Sequence, residues 1–224
     1  MTLWAVLPVK EMAGAKERLS PLLSPAERVA LMRVMVGEVL AALTAARGLA
    51  GVAVVTLDPW ASAAAAAAGA RVITAGAREG HTGSVTAAAR LLAAEGAGGI
   101  LTMPGDIPAV TAAEVEALLT GHGAAPAFSI APAHDEAGSN GVLLTPPQAV
   151  PLRFGDDSYF PHLAAARAQG IAPRIVRLPG AAMDIDHPAD LARFAALPQA
   201  QGTRTLAWLQ AAGVLARLAP PGGG

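Results

Sequence analysis

The chain of 224 residues lacks several residue types, and each absence excludes a class of protein. Without cysteine, it has no disulfide scaffold, no thiolate metal site and no cysteine nucleophile. Its 16 basic and 17 acidic residues nearly cancel, which excludes the strongly basic surface of a nucleic-acid-binding protein. It also has no run of about 18 strongly apolar residues, so no membrane span is expected.

The scarce polar residues carry the most information, because alanine makes up about a quarter of the chain. Arginine supplies nearly all the basic residues, and the two lysines are Lys10 and Lys16. Asn140 is the sole asparagine and Tyr159 is the sole tyrosine. The composition bias has removed these residue types from the rest of the chain. The positions that still carry them are therefore candidates for function.

The domain organisation predicted from the sequence is simple. No linker separates two parts of the chain and no internal repeat is present, so residues 1–218 are expected to form a single domain. Residues 219–224 are rich in proline and glycine and are expected to form a flexible tail. The amino-terminal segment has no charged region or cleavage site of a signal peptide, so a cytoplasmic protein is expected.

Short apolar runs alternate along the chain with longer amphipathic segments. This rhythm predicts an α/β fold, a three-layer sandwich in which helices cover both faces of a mostly parallel sheet. Capping signals support two of the helices, one beginning at Ser24-Pro25 and one with Thr111 and Glu114 in a capping box. The predicted strands are residues 3–8, 51–57, 71–74, 99–103, 127–130, 141–144 and 174–178. The predicted helices are residues 25–46, 61–68, 84–95, 111–119, 158–169, 188–197 and 203–218, with a polar loop at 76–83.

Ligands of such sheets bind at the carboxyl ends of the strands, and a basic loop follows the first strand. It contains Lys10, Lys16 and Arg18 within nine residues, which could place ammonium and guanidinium groups on a polyphosphate. The loop matches neither a Walker A motif nor a GxGxxG dinucleotide fingerprint. A plain solvated basic loop is the alternative.

Carboxylates follow two other strands. Asp106 lies in Pro104-Gly105-Asp106 after the most apolar strand, and Asp184 and Asp186 are two residues apart, so their side chains project the same way if the segment is extended. Neighbouring like charges repel unless a cation lies between them, which favours a divalent metal site that these two carboxylates share with Asp106. The alternatives are an ordinary turn at Asp106 and a helix cap at Asp186. Asp190 is interpreted as a first-turn carboxylate outside the site.

Two segments offer backbone N–H groups and small polar side chains. One contains Ser139 and Asn140, and the other contains Gly155 and Ser158 before a predicted helix, where a phosphate or carboxylate would bind well. Two ordinary turns are the alternative. His162 lies four residues after Ser158 on the same helix face, either near this pocket or at the surface. Neither an HExxH zinc motif nor a Gly-x-Ser-x-Gly elbow is present, so zinc and serine hydrolase chemistry are not expected.

Five motifs together resemble one family. They are Pro-Val-Lys-x5-Lys-x-Arg-Leu-Ser, Pro-Gly-Asp-x-Pro, Ser-Asn-Gly-Val-Leu-Leu-x-Pro-Pro, Phe-Gly-x-x-Ser-Tyr-x-x-His and Asp-Ile-Asp-x-Pro-x-Asp-Leu, in order over residues 5–195. They resemble the 2-phospho-L-lactate or phosphoenolpyruvate guanylyltransferases of coenzyme F-420 biosynthesis. The resemblance implies a Rossmann-like nucleotidyltransferase fold of the glycosyltransferase A type. It also implies transfer of GMP from GTP to a three-carbon phospho-acid, with release of pyrophosphate.

The resemblance assigns roles to the candidate residues. It implies that Mg²⁺ binds to Asp106, Asp184 and Asp186, and that the GTP phosphates bind to Lys10, Lys16 and Arg18. It assigns the phospho-acid to the pocket of Ser139, Asn140, Gly155 and Ser158, and the guanine base to the loop of Glu79, Gly80 and His81. The family carries a Leu-Asn pair shortly after this loop, where this chain has Ser84-Val85-Thr86-Ala87. Guanine would then be recognised by backbone groups and Glu79.

Two alternatives to this function stay open from the sequence. One is another molybdopterin or sugar-phosphate nucleotidyltransferase, although the Leu-Ala-Gly-Gly loop of those enzymes is absent. The other is a nucleotide-binding module without catalysis. The partners expected are small molecules, with neither nucleic acid nor membrane, and the protein is expected to be a monomer or a homodimer. The leucine-rich residues 206–218 could pack on their own domain or on a second copy.

Overall fold

The computed structural model describes residues 2–155 and 157–218 of the chain. They contain one seven-stranded sheet in the order β3-β2-β1-β4-β6-β5-β7. Within the described part of the chain, β6 runs antiparallel to both of its neighbours and the other paired strands are parallel. The strands are β1 (Leu3–Pro8), β2 (Gly51–Val55), β3 (Arg71–Ile73), β4 (Gly99–Thr102), β5 (Ala127–Pro132), β6 (Ser139–Thr145) and β7 (Arg174–Ile175).

Helices cover both faces of this sheet, as the sequence predicts. Strand side chains alternate between the faces, so that Ala5 and Leu7 pack against α1, α2 and α4, whereas Val6 packs against α3 and α5. The α/β sandwich with a mostly parallel sheet is confirmed. The helices are α1 (Pro25–Ala45), α2 (Pro59–Ala67), α3 (Gly80–Ala94), α4 (Ala112–Leu119), α5 (Tyr159–Ala168), α6 (Pro188–Ala196), α7 (Arg204–Ala211) and α8 (Val214–Leu218).

The helix starts follow the capping chemistry in the sequence. Ser24 caps α1 and Thr111 caps α4, and each forms the predicted capping box with a glutamate three residues later. Helix α2 begins at Pro59, two residues before the predicted start, because the Asp58 side chain accepts a hydrogen bond from the Ala61 amide. Among the described residues, no helix is both long enough and apolar enough to cross a membrane.

The carboxyl-terminal helices pack on their own chain. Leu206 and Leu209 of α7 are buried in one cluster with Leu31 and Met35 of α1, which is the first of the two arrangements left open by the sequence. The predicted single helix over 203–218 was wrong. It is divided into α7 and α8 at Gly213, whose φ of +67° lies in the left-handed region that interrupts a right-handed helix.

The largest differences from the predicted elements lie at the carboxyl edge of the sheet. Helix α3 begins at Gly80, four residues earlier than predicted, so Glu79 and Gly80 lie at a helix start and not in an open loop. Glycine content predicted the loop, but a Cβ at Gly83 would lie 2.2 Å from the Glu79 Cβ, so this close first turn requires glycine. Strand β6 begins at Ser139, which makes Ser139 and Asn140 strand residues rather than turn residues. Two predictions, the Asp156 part of the turn and the tail at 219–224, fall outside the described residues.

Candidate active site

A cavity of about 1190 Å³ lies where the loops after β1 and β4 meet the start of β6. It adjoins a second cavity of about 580 Å³, and Lys16 lines the second one. The predicted site residues that line the larger cavity are Lys10, Arg18, Glu79, Gly80, Asp106, Ser139, Asn140, Gly155, Ser158, Asp184 and Asp186. The fold therefore brings all the predicted site residues to one region, although they are far apart in the sequence.

Lys16 is at the centre of this region. Its Nζ lies 2.6 Å from Asp106 Oδ2 and 2.6 Å from Asp186 Oδ1, so one ammonium group bridges two carboxylates. The residue has a φ of 53°, a left-handed conformation that costs a non-glycine residue about 1–2 kcal/mol. The bridge excludes the alternative of a purely solvated loop at Lys16. The two carboxylates are held near each other by the Ile185 amide, which donates to the Asp106 carbonyl at 3.1 Å.

The charges set the protonation states at this bridge. Burial tends to lower the pKa of Lys16, but the two carboxylates outweigh it and the pKa lies above its ordinary value. Burial tends to raise the pKa of Asp186, but the charge and hydrogen bond of Lys16 outweigh it and the pKa is lowered. Both shifts favour the charged forms of Lys16 and Asp186, which therefore form an ion pair.

Asp184 lies in the same cavity in a different setting. Its Oδ1 accepts a hydrogen bond from Asn140 Nδ2 at 3.0 Å, and the same nitrogen also donates to the Ala182 carbonyl at 3.3 Å. Burial is the main cause that raises the pKa of Asp184, and the nearby charges of Asp106 and Asp186 add to it. The sole asparagine thus orients a carboxylate, a role that its scarcity in the sequence could not specify.

The remaining basic residues border the cavity. Lys10 lines it from the loop after β1, and Arg18 Nη1 lies 3.5 Å from His187 Nε2. Asp190 accepts from the Asp186 and His187 amides at 3.0 and 2.7 Å. This contact agrees with its interpretation as a first-turn carboxylate at the start of α6. Asp190 nevertheless lines the larger cavity, so its placement outside this region was wrong.

Ser139 and Ser158, which line the larger cavity, form a buried hydrogen-bonded group with His162, which does not line it. Ser139 Oγ lies 3.1 Å from Ser158 Oγ and 3.0 Å from His162 Nδ1. His162 Nε2 accepts from the Arg153 amide at 2.9 Å. Ser158 directly precedes α5, but its side chain makes no capping hydrogen bond, so its hydroxyl serves the pocket instead. His162 is buried, which removes the surface alternative.

Sequence reasoning missed a contact between the two sides of the cavity. The His81 ring stacks on Phe154 with a centroid distance of 4.2 Å, and Thr82 Oγ1 accepts from the Phe154 amide at 2.9 Å. Burial lowers the pKa of His81 to about 4, so it is neutral at physiological pH. Phe154 is one of four phenylalanines in the chain, and this scarcity was the one feature of the sequence that could have marked it as a candidate for the site. Ser84, in the segment that lacks the Leu-Asn pair implied by the resemblance, is buried and donates to the Gly76 carbonyl.

The resemblance implies that Asp106, Asp184 and Asp186 hold Mg²⁺. Across residues 2–155 and 157–218, no three His, Asp or Glu side chains are arranged as a metal-holding cluster. Asp106 and Asp186 already share one cation, the Lys16 ammonium, and their hard oxygen atoms are the ligands that Mg²⁺ prefers. The type of ligand atom therefore suits a divalent cation, whereas in this arrangement the Lys16 ammonium lies between the two carboxylates.

Solved structures with the same architecture are nucleotidyltransferases and related transferases. A candidate nucleotide-diphospho-sugar transferase from Desulfovibrio desulfuricans G20 aligns over 97% of this chain and 98% of its own, with a TM-score of 0.74 and 18% identity. A 4-diphosphocytidyl-2C-methyl-D-erythritol synthase aligns over 84% and 94%, with a TM-score of 0.61 and 14% identity. At these identities the likeness concerns the fold alone, and the fold is that of the nucleotidyltransferase class.

The sequence comparisons narrow the class to one family. The model of CofC-like guanylyl transferases matches residues 3–217. A phosphoenolpyruvate guanylyltransferase from Rubrobacter xylanophilus is 40% identical over 88% of this chain and 95% of its own. A 2-phospho-L-lactate guanylyltransferase from Methanothermobacter thermautotrophicus is 32% identical over 92% and 89%. A 3-phospho-D-glycerate guanylyltransferase from Colwellia psychrerythraea is 33% identical over 86% and 90%. The chain belongs to the CofC-like guanylyltransferase family.

Proposed function

We propose that this protein transfers GMP from GTP to a three-carbon phospho-acid and releases pyrophosphate, as a step in coenzyme F-420 biosynthesis. One observation carries the proposal beyond family membership. Lys16, Asp106 and Asp186, from three distant parts of the chain, meet within hydrogen-bond distance where the two cavities adjoin. Such a charged edge suits a reaction between two phosphate groups, which needs positioning and charge neutralisation.

The proposed chemistry requires no general base. An oxygen of the substrate phosphate is already an anion near neutral pH and attacks the α-phosphorus of GTP. A new P–O bond joins the acid phosphate to GMP, while the bond from the α-phosphorus to the bridging oxygen breaks and pyrophosphate departs. Lys10, Lys16 and Arg18 would bind the triphosphate, and correct orientation of the reactants could supply up to about 7–11 kcal/mol. Small-molecule substrates of this kind favour the cytoplasm as the working compartment.

The carboxylates have the complementary role. Asp106 and Asp186, with Asp184 beside them, would hold one or two Mg²⁺ ions, which when bound would neutralise phosphate charge. Asn140 fixes the direction of the Asp184 carboxylate through its 3.0 Å hydrogen bond. Ser139, Gly155 and Ser158 would hold the phospho-acid, and Glu79 and Gly80 at the start of α3 would lie at the nucleotide base.

Pyrophosphate release is the direct test of this function. The purified protein is given Mg²⁺, each of the four nucleoside triphosphates, and phosphoenolpyruvate, 2-phospho-L-lactate or 3-phospho-D-glycerate. We expect turnover with GTP, and fastest turnover with phosphoenolpyruvate because the relative at 40% identity carries that name. Turnover of a sugar phosphate in place of all three acids would identify another nucleotidyltransferase. Nucleotide binding without turnover would identify a non-catalytic module.

Substitution of Asp106 tests the site. We expect Asp106→Asn to lower kcat about 100-fold or more at saturating Mg²⁺, because electrostatic stabilisation is lost where charge develops. The matched control is Glu116→Gln, which removes an equal charge from a surface pair with Arg47 that lines neither cavity. Full kcat in Asp106→Asn would overturn the assignment of this carboxylate.

A further inference from the structure

His162 is a buried group that the proposed chemistry leaves without a task. It lies on α5 behind the cavity wall, and its two ring nitrogens contact different parts of the pocket. One nitrogen is 3.0 Å from Ser139 Oγ, at the start of β6, and the other is 2.9 Å from the Arg153 amide. The imidazole therefore joins a strand residue of the pocket to the loop that carries Gly155.

The contacts fix the tautomer of this ring. The Arg153 amide is a donor, so Nε2 must accept and cannot carry a proton. The ring proton of the neutral form is then on Nδ1, which donates to Ser139 Oγ. Burial lowers the pKa of His162 to about 4, so the neutral form persists at physiological pH.

A proton count gives the consequence for the two serines. Ser139 and Ser158 have two hydroxyl protons, and one of them is used in the 3.1 Å bond between them. Because His162 donates to Ser139, it accepts neither of the two hydroxyl protons. Whichever serine donates to the other, the second hydroxyl proton remains without a partner. Among the described residues, no protein atom accepts a hydrogen bond from it. Both serines line the cavity, so that proton is available to a group inside it.

We propose that His162 is a positioning residue of the acid pocket. By holding its Nδ1–H on Ser139, it forces the serine pair to present one permanent donor to an anionic oxygen of the phospho-acid. The inference rests on the proposed function, because it names the recognition of the acid in that same site. A histidine with the opposite tautomer would accept from Ser139, so the serine pair would satisfy itself and the donor would be lost. An apolar residue would leave one hydroxyl proton over but would remove the Nδ1–H bond that fixes the direction of the pair.

Amide substitutions separate the two ring contacts. Asparagine places its amide near the position of Nδ1 and can still donate to Ser139, whereas glutamine reaches toward Nε2 and can still accept from Arg153. We expect His162→Gln and His162→Phe to raise the KM for the phospho-acid roughly 10- to 100-fold, as expected for one lost hydrogen bond to a charged group. The KM for GTP should stay within about threefold. His162→Asn should restore most of the loss.

A second buried histidine supplies the matched control. His122 also bridges two hydroxyls, Ser129 at 2.8 Å and Thr145 at 3.0 Å, but lines neither cavity. His122→Gln should leave both KM values within about threefold. Calorimetric titration of each variant with phosphoenolpyruvate measures acid binding without turnover, and circular dichroism confirms that each variant is folded.

Several results would overturn the inference. Equal rises in both KM values, no change in His162→Gln, or an asparagine variant as weak as the phenylalanine variant would each contradict it. If His162→Phe fails to fold, the comparison of asparagine with glutamine still decides. A wild-type protein that turns over GTP while the His162 variants keep normal acid binding refutes this inference alone. A wild-type protein that neither binds nor turns over any of the three acids refutes the proposed function, and this inference falls with it.

Discussion

Replacing Lys16 with methionine tests the charged centre of the site most directly. The Lys16 side chain is 7% exposed and makes two 2.6 Å bonds to carboxylates. Methionine keeps the length of the side chain and the same left-handed backbone, so the conformational cost at this position is nearly unchanged. The substitution therefore removes one positive charge and its two hydrogen bonds from between Asp106 and Asp186.

The size of the effect is set by what happens to the two carboxylates. Hydrogen bonds to charged groups contribute about 1.5–3 kcal/mol each, which gives an upper limit of about 6 kcal/mol for two. Asp106 and Asp186 are 23% and 41% exposed, so water can replace much of what they lose. Burial of the ammonium group is itself costly, and that cost disappears in the variant. We expect the free energy of unfolding to fall by about 1–3 kcal/mol.

Urea unfolding at low ionic strength with a chelator measures this loss. Lys10→Met is the control, because Lys10 is the other lysine of the same loop and is exposed to solvent, so a change below about 0.5 kcal/mol is expected. Addition of Mg²⁺ or Mn²⁺ should then stabilise Lys16→Met more than the wild type, since the two carboxylates have lost their shared cation. At 100 times the Kd, such binding would add about 2.7 kcal/mol. A variant as stable as the wild type, or equal stabilisation of both proteins by the cation, would refute the reasoning.

Two further predictions concern stability. Ser24→Ala removes the cap of α1, whose hydroxyl accepts from the Glu27 amide, and should cost about 1 kcal/mol in urea unfolding, while Ser62→Ala, inside α2, should change little. Acid should destabilise the protein between pH 6.5 and about 4, because burial lowers the pKa of His81 and His162 to about 4 and the unfolded chain binds these protons first. Each histidine should contribute up to about 1.4 kcal/mol per pH unit, and His162→Asn should show a shallower pH dependence of unfolding. If His162→Asn unfolded with the same pH dependence as the wild type, the prediction of acid destabilisation by this histidine would be wrong.

Local chemistry explains which parts of the fold were predictable. Strand β1 and the capped starts of α1 and α4 were predicted at their observed positions, because alternation, proline and capping boxes act within a few residues. The predicted site residues lie together because polar side chains at strand ends collect at one edge of an α/β sheet. The start of α3 was predicted too late, because Gly80 and Gly83 locally favour a loop. In the structure, Gly83 lies in the first turn of the helix, where its lack of a Cβ leaves room for the Glu79 side chain.

The partners within the site could not be predicted, because they depend on the order of the strands. Lys16 is 90 residues from Asp106 and 170 from Asp186, and no local signal pairs them. Asn140 holds Asp184 across 44 residues, a contact that follows from the antiparallel placement of β6 beside β4. A pattern of strands and helices indicates which residues reach the edge, whereas the sheet order decides which of them touch.

The charge at this edge also predicts how substrate and cation depend on each other. The three carboxylates Asp106, Asp184 and Asp186 balance Lys10, Lys16 and Arg18, so these side chains sum to zero. A nucleoside triphosphate brings roughly four negative charges and a phospho-acid adds about two to three more, which the site cannot neutralise alone. Divalent cation and GTP should therefore each raise the affinity for the other, by the same factor. Titration of Mn²⁺ with and without GTP, followed by electron paramagnetic resonance and corrected for Mn²⁺ bound to free GTP, measures this factor. A factor of one would show that the charges of the site are sufficient and that the cation belongs elsewhere in the reaction.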